Sequence, residues 1–211
     1  MIKQYKRTLI LTSVVTMLPL VIGLLLWDVL PVTMATHWGA DSTVNGWSSK
    51  PMAVLGLPLF LLTIHWVCIL ITNADPKRRD GKPLQLVLWI CPAVSLLCGS
   101  LIYATALGYD LDPALIMPLF IGLLFMVIGN YLPKCQQNYT IGIKVPWTLN
   151  SQENWNRTHR FAGIVWVIGG ALIMLTCFLQ SPVLMIGFIL SLAFLPMLYS
   201  YGYYLRHEKR N

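Results

Sequence analysis

Residues 161–205 read FAGIVWVIGGALIMLTCFLQSPVLMIGFILSLAFLPMLYSYGYYL, 45 consecutive positions without a charged side chain. A helix rising about 1.5 Å per residue needs roughly 20 apolar residues to cross about 30 Å of hydrocarbon. The stretch therefore holds two spans, and Gln180-Ser181-Pro182 marks the break between them, where polar groups and a proline favour a turn. Working outward, uncharged windows recur at 8–27, 51–74, 83–109 and 113–133, each long enough for one span. The expected fold class is all-α: a polytopic six-helix transmembrane bundle forming a single membrane domain. Its spans fall at about 8–29, 51–73, 84–107, 113–132, 161–179 and 183–205.

Composition agrees, and it excludes a water-soluble domain. Of the 211 residues, 56% are hydrophobic and 11% charged, against about 25% charged in a soluble protein. Lys3, Lys6 and Arg7 ahead of the first apolar run imitate a secretory signal. The apolar core is longer than such a signal carries, and Asp28 follows it, so the span is read as retained.

The net charge of +7 is not a nucleic-acid footprint, and no direct nucleic-acid partner is expected. With six spans, 14 of the 15 Lys and Arg residues fall on the side of the two termini, and only Lys50 falls on the other. Basic residues in short loops resist translocation, so both termini are expected on the cytoplasmic side of the membrane. An anionic inner leaflet suits this excess, with membrane lipid as one partner.

The five cysteines (Cys68, Cys91, Cys98, Cys135 and Cys177) form no CxxC and read as reduced, buried thiols. Pro19, Pro58, Pro92, Pro118 and Pro196 interrupt five spans, and Ser95/Gly99, Ala104/Gly108 and Gly187/Ser191 would permit close helix approach. Ordinary helix packing and kinked helices around a lumen both accommodate these features.

Two polar connections are long enough for recognition: an outer loop at 30–50 and an inner loop at 133–160. The outer loop carries His37, Trp38, Asp41, Trp47 and Lys50, with Asp41–Gly46 as a turn. His37 and Asp41 are too few ligands for zinc, and no metal or other cofactor is expected. A compact loop on the membrane, with Trp38 and Trp47 at the interface, fits better. In the inner loop, Tyr139–Val145 is β-branched around Gly142 and reads as extended, and Pro146 keeps Val145 out of a helix. Asn150 with Glu153 suggests a capped helix start near Ser151. Trp155, His159, Ala162 and Trp166 then share one face, while Trp147 and Trp155 suit the headgroup layer. Lys144, Arg157, His159 and Arg160 read either as a docking patch or as topogenic charges and interfacial anchors.

The run Asn130-x-Leu-x-Lys134-x-x-x-Asn138-x-x-x-Gly142-Ile-Lys144-x-Pro146-Trp147-Thr148-Leu, followed by Ser-x-x-x-Trp155-x-x-Thr-His159-Arg160-x-x-Gly163, resembles the signature of the SdpI family. Leu30-Pro31, His37-Trp38-Gly39, Asp41, Gly46-Trp47 and Ser49-Lys50-Pro51 resemble the small extracytoplasmic domain that often precedes it. The family comprises bacterial membrane proteins named for immunity to a secreted peptide toxin. The resemblance implies a toxin met at the outer loop (His37, Trp38, Asp41, Trp47) and a cytoplasmic transcriptional repressor as a further partner. It assigns no role to any one signature residue. On physical grounds Pro146, Trp147 and Gly163 shape the loop, and Lys144, His159 and Arg160 are better placed as contacts. The inner partner-binding set is thus Asn130, Lys134, Asn138, Lys144, Trp147, Thr148, Trp155, His159 and Arg160. A repressor's DNA-binding face is basic and so is this inner surface, so capture would use another face.

Mid-span, His65 is a candidate intramembrane polar site: either a neutral imidazole bonded to a neighbouring helix, or part of a proton or substrate path. Two other functions compete with binding. One is a transporter or exporter of a small amphiphile, and the other is a membrane enzyme on a lipid-linked substrate. No catalytic residue is assigned, because only Glu153 and His159 could do acid–base work near the inner interface, and no nucleophile–base–orienter set or HExxH occurs.

Overall fold

The computed structural model describes residues 1–39, 41–179 and 181–209. Gln180, expected in the break between the last two spans, and the basic Arg210 lie outside the described residues. Six helices are long and apolar enough to cross a membrane: Lys6–Leu25, Met52–Ala74, Lys82–Ala106, Pro113–Lys134, Gln152–Leu179 and Pro182–His207. In chain order the elements are α1 (Lys6–Leu25), β1 (Thr33–Trp38), β2 (Val44–Ser49), α2 (Leu57–Ala74), α3 (Lys82–Ala106), α4 (Pro113–Tyr131), α5 (Pro146–Asn150), α6 (Gln152–Leu179) and α7 (Pro182–His207). A π turn, Met52–Gly56, leads into α2. It falls just before Pro58, whose missing N–H prevents regular α bonding there.

The chain forms two compact units. The first contains residues 1–73 and 85–113. Here α1 is gripped by α3 at the small residues of one face. Ser95 donates to the Thr16 carbonyl at 2.7 Å, and Tyr103 donates to that of Pro19 at 2.8 Å. A Cβ on Gly99 would lie 2.6 Å from the Pro19 ring. Ser95/Gly99 is therefore a true close approach. Gly108 and Gly187 have open space where a Cβ would stand, so those two pairs pack nothing closely. His65 on α2 is buried and meets the Thr12 hydroxyl of α1 at 3.0 Å.

The outer connection is a β-hairpin and not an irregular loop, the one departure from an all-α fold among the described residues. β1 and β2 pair antiparallel with Ala35 opposite Trp47, and irregular register on either side of His37 twists the ribbon. Met34 buries into a cluster with Leu30, Val54 and Ile102, and Ala35 is buried beside it in the strand. Asp41 closes the turn, taking the Thr43 N–H at 3.1 Å and its hydroxyl at 2.7 Å. These bonds hold its carboxyl below the usual carboxylate range. Lys50 donates to the Trp27 carbonyl at 2.8 Å, just beyond the C-terminal end of α1, where a cation is favoured.

The second unit contains residues 74–84 and 114–209. Its core is a reciprocal glycine contact. A Cβ on Gly170 of α6 would lie 2.9 Å from a backbone nitrogen of α4, at Met126, and one on Gly129 of α4 would lie 3.1 Å from the carbonyl of Gly163 on α6. Backbone meets backbone at both places because no side chain intervenes.

Candidate functional site

The inner loop folds in the second unit around a floor of buried polar groups, Asn138, Thr148 and His159 among them, each hydrogen-bonded. Asn138 organises the turn. Its side-chain oxygen accepts the N–H of Thr140 at 2.8 Å and of Ile141 at 2.6 Å, and its amide donates to the carbonyls of Gln136 and Ile141. Gly142 follows with φ +119°, a conformation that only glycine adopts freely. A Cβ there would strike His159 Nε2 and lie 3.0 Å from the Trp155 ring.

His159 fixes the next residue. Its Nε2 accepts the Ile143 N–H at 3.0 Å, and its Nδ1 bonds the Trp155 carbonyl at 2.8 Å. An acceptor at one nitrogen and a donor at the other define a neutral imidazole protonated on Nδ1. The ring stacks on Trp155 at 4.1 Å, and both side chains are buried. Trp155 donates its indole N–H to the Cys135 carbonyl at 2.7 Å. Beside it, burial pushes the Cys135 thiol up to about 11.

Between Tyr139–Val145, expected to be extended, and the helix start expected near Ser151 lies the short helix α5, with Pro146 in its first turn. Thr148, buried, accepts the Val145 N–H at 3.1 Å and donates to the Ile143 carbonyl at 2.8 Å. Gln137 donates to the carbonyls of Thr148 and Leu149. The cap of α6 is Ser151 and not Asn150: its hydroxyl accepts the Asn154 N–H at 3.1 Å.

Two further residues tie this loop down, and neither stood out in the sequence. Asp75, buried in the short basic connection, accepts the Tyr139 N–H at 2.8 Å, the Thr140 hydroxyl at 3.0 Å and the Lys77 N–H at 2.8 Å. Asn154, fully buried on α6, accepts from Ser200 at 2.7 Å and from Thr158 at 3.0 Å, and donates to the Ser200 carbonyl at 3.2 Å. The signal for Asp75 was a carboxylate just ahead of a run of cations. For Asn154 it was an amide directly before Trp155.

The expected contact residues thus divide. Asn138, Thr148, Trp155 and His159 are buried residues that shape the loop. Asn130, Lys134, Lys144 and Arg160 are exposed, and Trp147 is half-buried against Tyr201 and Tyr204 of α7. Of the acid–base candidates, Glu153 is held by Arg157 at 2.6 Å and His159 has both nitrogens engaged. His159 cannot move a proton without giving up its bond to the loop backbone, whereas the Glu153 pair is an exposed contact within one helix. In the hairpin, His37 bonds Asn45 at 2.5 Å and Asp41 bonds Thr43, so the two do not converge on a common ligand. His37 and Trp47 are exposed, and Trp38 is half-buried.

The model of the SdpI/YfhL protein family matches residues 134–200, which take in α5 and α6, most of the inner loop and much of α7. Over these residues the chain is similar to the SdpI family. It is a multi-pass bacterial membrane protein. A domain of unknown function (DUF1648) matches residues 14–62, across α1 and the hairpin into α2. The chain is also 24% identical over 204 residues to the protein named "Immunity protein SdpI" of Bacillus subtilis (strain 168), covering 92% of this chain and 95% of that relative. No solved structure matches it.

Proposed function

We propose that this protein is a membrane immunity protein, which protects its cell from a secreted antimicrobial peptide by binding it and not by chemistry. The observation that carries this reading is the end-to-end similarity to Immunity protein SdpI, which covers both polar connections as well as the spans. Both termini lie in the cytoplasm. The hairpin, with exposed His37, Asp41 and Trp47, meets the peptide outside, and the inner loop is the cytoplasmic contact surface. A transcriptional repressor is the partner there, held at the membrane when the outer face is occupied. Such coupling requires the toxin to favour one of two states of the protein. The committed hydrogen bonds of His159 and the ion pair of Glu153 favour binding over catalysis.

The test is an expression titration against a fixed amount of peptide, with mass spectrometry of recovered peptide and lipids. Binding predicts protection that saturates with the ratio of peptide to protein, and an unmodified peptide. Protection at far below one copy per peptide, with a cleaved peptide or altered lipid, would refute it. Loss of protection on collapsing the proton gradient would indicate transport.

A further inference from the structure

We propose that Trp147, Tyr201 and Tyr204, beside Glu208, form a site for one lysine or arginine side chain of a cytoplasmic protein, carried on an otherwise acidic segment. The proposal rests on the reading of the inner loop as the cytoplasmic contact surface and names the chemistry that surface would select. The three rings line a cavity of about 550 Å³ together with Glu208 and Asn150. Their centroids lie 5.1 Å (Trp147–Tyr201), 6.2 Å (Trp147–Tyr204) and 6.3 Å (Tyr201–Tyr204) apart, a continuous aromatic wall. The Trp147 indole nitrogen is buried without a hydrogen-bond acceptor. Packing alone therefore holds this ring, at the cost of an unmade bond, whereas Trp155 and Trp166 both donate to carbonyls.

Glu208 supplies the sign of the ligand. The second unit has four acidic residues, and the other three are committed. Asp75 takes loop donors, Asp80 pairs with Arg78 at 3.4 Å, and Glu153 pairs with Arg157 at 2.6 Å. Glu208 accepts only from the Asn154 amide, at 3.3 Å, with no cation in ion-pair range among the described residues. A carboxylate beside aromatic faces is complementary to a cation, which the ring quadrupoles attract. The surroundings narrow the choice further. Lys144, Arg206 and Lys209 adjoin the lining positions in sequence, so an isolated cation is repelled. A segment with one cation among acidic residues satisfies both the cavity and its rim. That pattern describes a protein surface, and it removes the conflict of two basic faces, because a DNA-binding face would be the wrong ligand.

The full chain in maltoside micelles is titrated into a dye-labelled peptide with one lysine flanked by glutamates, read by fluorescence anisotropy. Saturable binding is expected. Acetylating the lysine should weaken it at least tenfold and Glu208→Gln at least fivefold, while Asp80→Asn, outside the cavity, should leave it unchanged. Tyr204→Leu provides a second variant should Trp147→Leu not fold. Equal binding of the acetylated peptide, or an unaltered Glu208→Gln, overturns the proposal. Stronger competition by phosphocholine than by unlabelled lysine peptide overturns it in favour of a lipid anchor. If the peptide fails to bind but Arg160→Ala still abolishes protection in cells, the cation site is wrong and the immunity reading stands.

Discussion

Replacing Asp75 by alanine should release the inner loop without touching any residue of the signature. The carboxylate is 8% exposed and accepts three hydrogen bonds, from the N–H groups of Lys77 and Tyr139 and the hydroxyl of Thr140. Bonds to a charged acceptor contribute about 1.5–3 kcal/mol each, and the loss is larger where the abandoned donor is buried. Lys77 is exposed and its N–H can turn to water, so its share is small. The other two donors are part-buried, and since neighbouring losses are not additive their combined share is about 3 kcal/mol. At about 1.4 kcal/mol per tenfold, local opening should become roughly 100-fold more frequent. Hydrogen exchange of the membrane-embedded protein, followed by mass spectrometry of peptides covering 136–148, reads this directly. Peptides from α7 should keep their protection. If 136–148 exchanges within about threefold of the parent, the carboxylate is not a tie for the loop, and the hydrogen-bond account of the site fails.

Other outcomes follow from the same contacts. Gly142→Ala, which needs a left-handed residue and places a methyl against His159 and Trp155, should destabilise the loop by at least about 2 kcal/mol and raise exchange in the same peptides. With its thiol held up at about 11, Cys135 is almost entirely protonated at pH 8. It should resist N-ethylmaleimide for hours while unfolded protein reacts in minutes, and rapid labelling of folded protein would contradict its burial. In a cysteine-free background, Asn45→Cys and Tyr109→Cys should react with an impermeant thiol reagent on intact cells, and Arg79→Cys and Lys209→Cys should not. The reverse pattern would invert the proposed orientation. Gly163→Val, placed where a Cβ already meets Pro133 and the Gly129 carbonyl at 2.9 Å, should leave little folded protein in the membrane.

The spans were legible because length and missing charge decide them, and neither depends on tertiary context. Each of the six observed helices contains or closely matches its apolar window. The hairpin was harder to see. Gly46 and Asn45 weaken β2, and the burial of Met34 follows from a cluster built with distant residues such as Ile102. The glycine contact escaped for a different reason. Gly122/Gly129 and Gly163/Gly170 are spaced at seven, two helical turns, whereas the small-residue patterns noted in the sequence were spaced at four. In the inner loop, type and place were readable but depth was not. His159 and Trp155 looked like surface ligands until the backbone donors and acceptors that occupy them were visible.

The glycine contact has a consequence for how the family can diversify. Because α4 and α6 touch through their backbones near Gly129 and Gly163, the inner loop leaves and re-enters the membrane at fixed, neighbouring points. Its closure is settled by the helices and does not draw on the loop's own residues. Within such a frame the loop is a cassette. Its exposed positions, Lys134, Lys144 and Arg160 among them, can change while the anchorage stays the same.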